Sequence, residues 1–141
     1  SIGEKLGKIK GVNAMTDITG FGLMGHVLEM AGGSGCSAII DYANVPLIEG
    51  LQSYITQRIS PDATPRNWNA YSSKVKFEKG VNVMEAFTVL PDPQTNGGLL
   101  ISCTPSALIE VQQLLNENGL GTHINPIGKM IAKSEFGVYI N

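Results

Sequence analysis

One aspartate, Asp17, stands two residues before a glycine-rich stretch, residues 19–22, that leads into an apolar segment of helical period. The start of a helix presents free N–H groups and a partial positive charge, both of which suit phosphate oxygens. A carboxylate beside a phosphate is repelled unless a cation lies between them. Asp17 is therefore a candidate magnesium ligand, with Thr19, Gly20 and Gly22 as candidate phosphate contacts. The competing interpretation is that Asp17 only caps the turn or the helix.

A single carboxylate is not a metal site, because magnesium prefers six oxygen ligands in near-octahedral order. No other acidic residue stands near Asp17 in the sequence, and the chain lacks a Walker-type phosphate loop. The remaining ligands must then come from a neighbour in the fold or from another domain. The sequence thus predicts one side of a split site.

Three further groups could take part in chemistry. Arg66 and Asn67 lie in a stretch without periodicity and are candidate phosphate contacts, since arginine offers a planar fork of donors; an exposed arginine in a mobile loop is the alternative. The stretch 95–98 could approach a ligand through bare backbone, or it could be a tight turn before a strand. His26 could act as a base, but a hydrogen-bonded packing role is favoured. No catalytic residue is predicted within the chain.

Composition excludes several classes of function. The formal charge of −2 gives no basic field for nucleic acid, and no apolar run approaches the length of a membrane span. Cys36 and Cys103 have no CxxC partner, so we expect buried, reduced thiols and a cytoplasmic protein. Because Ser1 is not an initiator methionine, we expect a processed or truncated chain.

The elements that must position these groups begin with a helix after residue 21. Its apolar half contains Phe21, Leu23, Met24, Val27, Leu28, Met30 and Ala31. Thr19 is the expected N-cap, and Gly32-Gly33 is expected to end the helix. The opposite face, which carries Gly22, Gly25, His26 and Glu29, is bare enough to admit another backbone or a ligand.

The rest of the pattern predicts an α/β domain over 1–141, with a mixed sheet covered by helices. Its predicted elements are a buried strand at 38–40, a helix from Pro46 to about Ile59, a long loop at 60–80, a short helix at 81–89, a turn at 91–98 running into a buried strand at 99–101, a helix from Thr104-Pro105 to Gly119, and two closing strands at 127–132 and 137–140 that form a hairpin.

Two segments resemble selenophosphate synthetase (selenide, water dikinase), a family of the aminoimidazole-ribonucleotide-synthetase-like superfamily. They are residues 16–26 (TDITGFGLMGH), here called the first motif, and residues 92–100 (DPQTNGGLL), the second motif, which begin about 75 residues apart. Weaker similarity includes Asn44-Val45-Pro46, Thr64-Pro65-Arg66-Asn67, 127–129 and 137–138. The resemblance covers nearly the whole chain but only the carboxy-terminal part of the family's length.

The resemblance implies an enzyme that makes selenophosphate, AMP and phosphate from ATP, selenide and water, with magnesium. It implies a missing amino-terminal domain through which the full-length enzyme forms a homodimer. That domain would provide much of the ATP site and most of the metal ligands, and it would carry the reactive cysteine or selenocysteine. Of the family's metal ligands, only Asp17 maps onto this chain. We therefore expect the chain alone to be inactive and to have the amino-terminal domain, ATP and selenide as its partners.

The chain departs from the family pattern at two places. Asp62-Ala63 replaces a Gly-Gly pair before the Arg66-Asn67 pair, and Asn96 stands where serine is more frequent. The loss of the two glycines weakens the expectation that this loop brings its backbone close to phosphate. Two alternatives to the dikinase interpretation also stay open. The chain could belong to another ATP-using superfamily member, such as a thiamine-phosphate kinase, a purine-pathway synthetase or a hydrogenase-maturation protein. It could also be a non-catalytic ligand-binding domain.

Overall fold

In the computed structural model, which describes residues 1–141, six strands form two separate sheets. The smaller sheet is an antiparallel ribbon of β1 (Val12–Asp17) and β4 (Leu99–Cys103). The larger sheet has the order β3 (Val75–Phe77), β6 (Val138–Ile140), β2 (Cys36–Ile40), β5 (Gly128–Ala132). Strands β3, β6 and β2 run parallel, and β5 is antiparallel to β2. The predicted α/β class with a mixed sheet is confirmed.

Six α-helices accompany the sheets: α1 (Ile2–Leu6), α2 (Gly22–Gly33), α3 (Leu51–Thr56), α4 (Ala63–Tyr71), α5 (Val83–Val89) and α6 (Leu108–Glu117). Helix α2 buries Met24, Val27 and Ala31 in the main core, which it shares with the larger sheet. A second, smaller core of four buried residues joins α1 to α6. The ribbon therefore begins and ends beside packed helices, which fixes the position of Asp17 at the end of β1.

Several local predictions hold. Helix α2 ends at Gly33, α5 and α6 lie where they were expected, and β2 is the central buried strand. The N-cap of α2, however, is Phe21 rather than Thr19, and it makes no side-chain capping bond. The Phe21 side chain is 64% exposed, whereas His26, predicted on the bare face, is buried. The burial pattern of the helix entry is thus the reverse of the prediction at these two residues.

Four other predictions are wrong in whole or in part. The stretch 60–80 is not a loop but contains α4 and β3. The last two strands do not form a hairpin, because β5 and β6 lie on opposite sides of β2. The helix expected from Pro46 starts only at Leu51, after a glycine with a positive φ of 81°, and none of its residues is buried. The strand predicted to be buried at 99–101 has Leu99 exposed at its first position.

Candidate functional site

The two motifs lie side by side and exchange backbone hydrogen bonds. Ile18 N–H donates to the Gly98 carbonyl (2.9 Å), and Gly97 N–H donates back to the Ile18 carbonyl (3.1 Å). Gln94 N–H donates to the Thr19 carbonyl at 3.1 Å. We call this contact region, residues 17–24 with residues 90–98, the motif junction. It continues the β1–β4 ribbon, in which Asp17 is paired with Leu99.

Two glycines permit this close approach. At Gly22, whose φ is 70°, an added Cβ would lie 2.6 Å from the Pro91 carbonyl carbon. At Gly97, an added Cβ would lie 2.8 Å from both the Cβ and the carbonyl oxygen of Ile18. The bare face of α2 therefore admits another backbone, as expected. Gly22 allows the backbones of the two motifs to come into contact.

Helix α4 holds the motif junction from one side. The Asn67 amide nitrogen donates to the carbonyls of Gly20 (2.8 Å) and Pro91 (2.9 Å), one in each half of the junction. The Tyr71 hydroxyl donates to the Phe21 carbonyl at 3.0 Å. Both amide hydrogens of Asn67 are engaged, so only an acceptor oxygen remains free. The direct phosphate contact predicted for Asn67 does not fit this arrangement, because an acceptor repels an anion.

Asp92 is a polar residue of the junction that the sequence placed in a turn and at the start of the second motif, without assigning it a role. Its carboxylate accepts hydrogen bonds from the Gln94 amide (2.8 Å) and the Thr64 hydroxyl (3.4 Å). Burial raises the pKa of the Asp92 carboxyl, and the two hydrogen bonds only partly oppose that shift. The spacing of Asp92 and Gln94 in the second motif was the only signal that could have indicated this pair.

His26 has a structural role in the junction. Its Nε2 accepts the Thr19 N–H at 3.0 Å, and the ring is only 6% exposed. The Nδ1 atom has no hydrogen-bond partner, and the nearest carboxylate oxygen, on Glu29, is 3.8 Å away. The favoured packing interpretation of His26 agrees with this geometry. The Thr19 N–H already donates to the His26 ring, so it is not free to donate to a phosphate.

Asp17 lies at the surface at the end of β1, and its carboxylate makes no hydrogen bond or ion pair within the protein. Nowhere in the chain do three His, Cys, Asp or Glu side chains lie close enough to hold a metal ion. The donor set of this chain therefore does not make a magnesium site by itself. Asp17 could contribute one ligand to a site completed by other protein.

The turn between Asp17 and α2 presents two N–H groups, those of Gly20 and Phe21, that have no acceptor in the protein. Gly22 N–H, by contrast, donates to the Thr19 carbonyl at 3.0 Å. An added Cβ at Gly20 would meet no atom within 4 Å, so this turn faces open space. Phe21 was not a predicted site residue, because its periodicity placed it in the core. We call Asp17 and the N–H groups of Gly20 and Phe21 the candidate phosphate face.

The other predicted groups lie apart from this face or are unengaged. Arg66 is exposed on α4 and forms no ion pair. An open depression of about 360 Å³ lies between β1 and the second half of α2, but its lining includes neither Asp17 nor any other residue of the motif junction. Glu29 is the only ionisable group that lines this depression. No helix is both long and apolar enough to cross a bilayer.

Comparison with known proteins places the chain in a family. Residues 3–141 match the family model described as AIR synthase related protein, C-terminal domain. A selenide, water dikinase of Bordetella bronchiseptica is 39% identical over 98% of this chain, and one of Dechloromonas aromatica is 40% identical over 96%. The chain spans 38% of the length of each relative.

The fold has a solved counterpart. The crystal structure of E. coli HypE, a hydrogenase maturation protein, matches 99% of this chain and 34% of its own chain, with a TM-score of 0.66 and 21% identity. This likeness concerns the fold alone. Because the family model covers nearly every residue, and the dikinase relatives match through both motifs, the resemblance read from the sequence is confirmed. The chain belongs to the AIR synthase related protein family, as a C-terminal domain similar to those of selenide, water dikinases.

Proposed function

We propose that the full-length protein that carries this chain is a selenide, water dikinase, and that this chain supplies one side of its ATP site. The observation that carries the proposal is the motif junction, in which the Asp17 carboxylate is unengaged and the N–H groups of Gly20 and Phe21, in the turn that follows it, have no acceptor. The 39% and 40% identity to dikinases supports the choice of reaction within the family. The substrates are then ATP, selenide and water, and the products are selenophosphate, AMP and phosphate.

Within this proposal, each residue of the candidate phosphate face has a stated task. Asp17 supplies one magnesium ligand, and the N–H groups of Gly20 and Phe21 face the phosphate oxygens. Arg66, which is exposed on α4 and forms no ion pair, supplies a positive charge for the phosphates. Magnesium, when bound, neutralises phosphate charge. Thr19, Gly22 and Asn67 hold the turn in place through the bonds described above rather than by touching phosphate.

The rest of the protein must complete the site. This chain provides no nucleophile or base in contact with the candidate phosphate face, so the proposal assigns the catalytic residues to the amino-terminal domain, which also forms the homodimer. The isolated chain is then inactive. Both cysteines are free thiols, which supports a reducing, cytoplasmic location for the full-length enzyme.

The test is selenide-dependent AMP formation by the full-length protein and by its Asp17→Asn variant. We expect the variant to lose about two orders of magnitude in rate, because a metal ligand becomes a neutral amide. The matched control is Asp62→Asn, an exposed carboxylate that makes no capping bond at the start of α4. Thermal unfolding should be unchanged in both variants.

Two outcomes would contradict the proposal. Wild-type turnover in the Asp17→Asn variant would remove this carboxylate from the site. ATP consumption by the unmodified protein that does not depend on selenide would assign the chain to a different member of the superfamily.

A further inference from the structure

Helix α4 directs a polar stripe, not an apolar one, toward the motif junction. Thr64, Asn67 and Tyr71 follow one another at spacings of three and four residues, so they share one face of the helix. Thr64 is fully buried and Tyr71 is only 8% exposed. Each of the three side chains donates a hydrogen bond to the motif junction. Each polar group in a buried stripe of this kind needs its own hydrogen-bond partner.

The carbonyls that receive these bonds have no other protein donor. Gly20, Phe21 and Pro91 accept no backbone N–H, so Asn67 and Tyr71 alone satisfy them. The side chains of α4 are thus part of the hydrogen bonding of both motifs. Without these side chains, backbone hydrogen bonds would hold the turn at 20–21 only through the residues before and after it.

The bond to Gly20 has a direct consequence for the neighbouring N–H group. A peptide unit is planar and trans, so the Phe21 N–H points opposite to the Gly20 carbonyl. With Asn67 holding that carbonyl on the α4 side, the Phe21 N–H is aimed away from α4. Rotation of this peptide would change ψ of Gly20, over which glycine ranges widely, together with φ of Phe21, which is −87° in the structure.

We infer that Asn67, assisted by Tyr71, is a positioning residue that fixes the orientation of the 20–21 peptide and the register of the two motifs. It acts on the candidate phosphate face without touching a ligand. Its effect on turnover rests on the proposed function, whereas its effect on the backbone does not.

The test compares Asn67→Asp with Asn69→Asp in the full-length protein. The first variant keeps the shape of the side chain but replaces its donor with acceptor oxygens facing two carbonyls. The second makes the same chemical change two residues away, at an exposed position of α4 without side-chain hydrogen bonds. Tyr71→Phe, which loses one bond and keeps the ring, serves as a milder variant should Asn67→Asp fold poorly.

Two readouts are needed. Amide hydrogen exchange at Gln94 and Gly97, whose N–H groups bond across the junction, should accelerate about tenfold or more in Asn67→Asp. Exchange at Ala38, in β2 of the larger sheet, should not change. The KM for magnesium-ATP in selenide-dependent AMP formation should rise about tenfold, with a smaller change in kcat. Asn69→Asp should match the wild type in both, and Tyr71→Phe should show the same pattern at lower amplitude.

The outcomes separate the two claims. Unchanged exchange at Gln94 and Gly97, or equal acceleration there and at Ala38, overturns the inference, because the residue would then be neutral or merely structural. Accelerated junction exchange with unchanged KM and kcat also overturns it as a statement about the site. If exchange accelerates only at Gln94 and Gly97 and the wild-type protein shows no selenide-dependent activity, the result supports the positioning role of Asn67. It contradicts the proposed function instead.

Discussion

The motif junction and the segment 45–60, here called the outer segment, are built in opposite ways. In the junction, hydrogen bonds connect residues that are distant along the chain, such as Ile18 with Gly98 and Tyr71 with Phe21. In the outer segment every backbone hydrogen bond joins residues close in the sequence. The largest separation is five residues, between the Ile59 N–H and the Tyr54 carbonyl. The outer segment also leaves four large apolar side chains exposed: Leu47, Ile48, Tyr54 and Ile59.

This difference shows that apolar period and structural importance need not coincide. The outer segment has helical spacing but buries no residue of α3, so it forms only a short helix. The junction has little periodicity, yet it is held by glycine contacts and by polar side chains from a third element. The free energy of local opening should therefore be higher in the junction than in the outer segment, where opening should begin.

The largest effect is expected from Gly22→Ala. The new methyl group would meet the backbone of residues 90–92 at a residue whose φ is 70°. Left-handed strain and the backbone clash together should lower the free energy of unfolding by about 3 kcal/mol. Urea denaturation measures this change.

The matched control for that variant is Gly32→Ala in the same helix, where an added Cβ meets no atom within 4 Å. It should raise the free energy of unfolding by about 0.5–1 kcal/mol, because alanine favours the helix over glycine. If both variants lost stability equally, the close approach of the motifs would not be the cause.

A smaller effect concerns the dependence of stability on pH at Asp92. Burial raises the pKa of its carboxyl in the folded chain above the ordinary 3.8, so the folded state binds the proton more readily than the unfolded state. Stability should consequently increase as the pH falls through the raised folded pKa, and the gain is complete below the unfolded pKa. Urea denaturation of the wild type and Asp92→Asn over a pH series measures the difference. A difference that does not change with pH, or that changes in the opposite direction, would contradict this assignment.

The smallest effect is expected in the outer segment. Ile48 is 77% exposed, so Ile48→Ser should change the free energy of unfolding of this chain by less than about 0.5 kcal/mol. Thermal unfolding provides the measurement. A loss comparable to that of Gly22→Ala would mean that the outer segment packs more closely than its exposure indicates, and would remove the contrast between the two regions.

The sequence was sufficient where local chemistry decides structure. The glycines before and after α2, the apolar run of β2 and the Thr104-Pro105 start before α6 all identify their elements. It failed where distant pairing decides. The placement of β5 and β6 on opposite sides of β2, rather than in a hairpin, depends on pairing between residues far apart in the sequence. Ala38, for example, pairs with Val138, 100 residues later.

Helix α4 shows why a polar segment was mistaken for a loop. The side of α4 that contacts the motif junction consists of Thr64, Asn67 and Tyr71. Thr64 bonds to the Asp92 carboxylate, and Asn67 and Tyr71 bond to backbone carbonyls of remote turns, so no apolar period marks this side. The same reason explains the site. Asp17 was identifiable from its position before glycines, and its role as a metal ligand stays a prediction. The engagement of Asn67 and the free N–H of Phe21 depend on the folded junction.

The central claim is that this chain carries an incomplete site that other parts of the protein must finish. Calorimetric titration of magnesium-ATP into the folded 141-residue chain, beside the full-length protein, tests it most directly. The account predicts saturable binding by the full-length protein and no binding heat from the chain alone at millimolar magnesium-ATP. Saturable binding by the chain alone, with an affinity similar to that of the full-length protein, would contradict it.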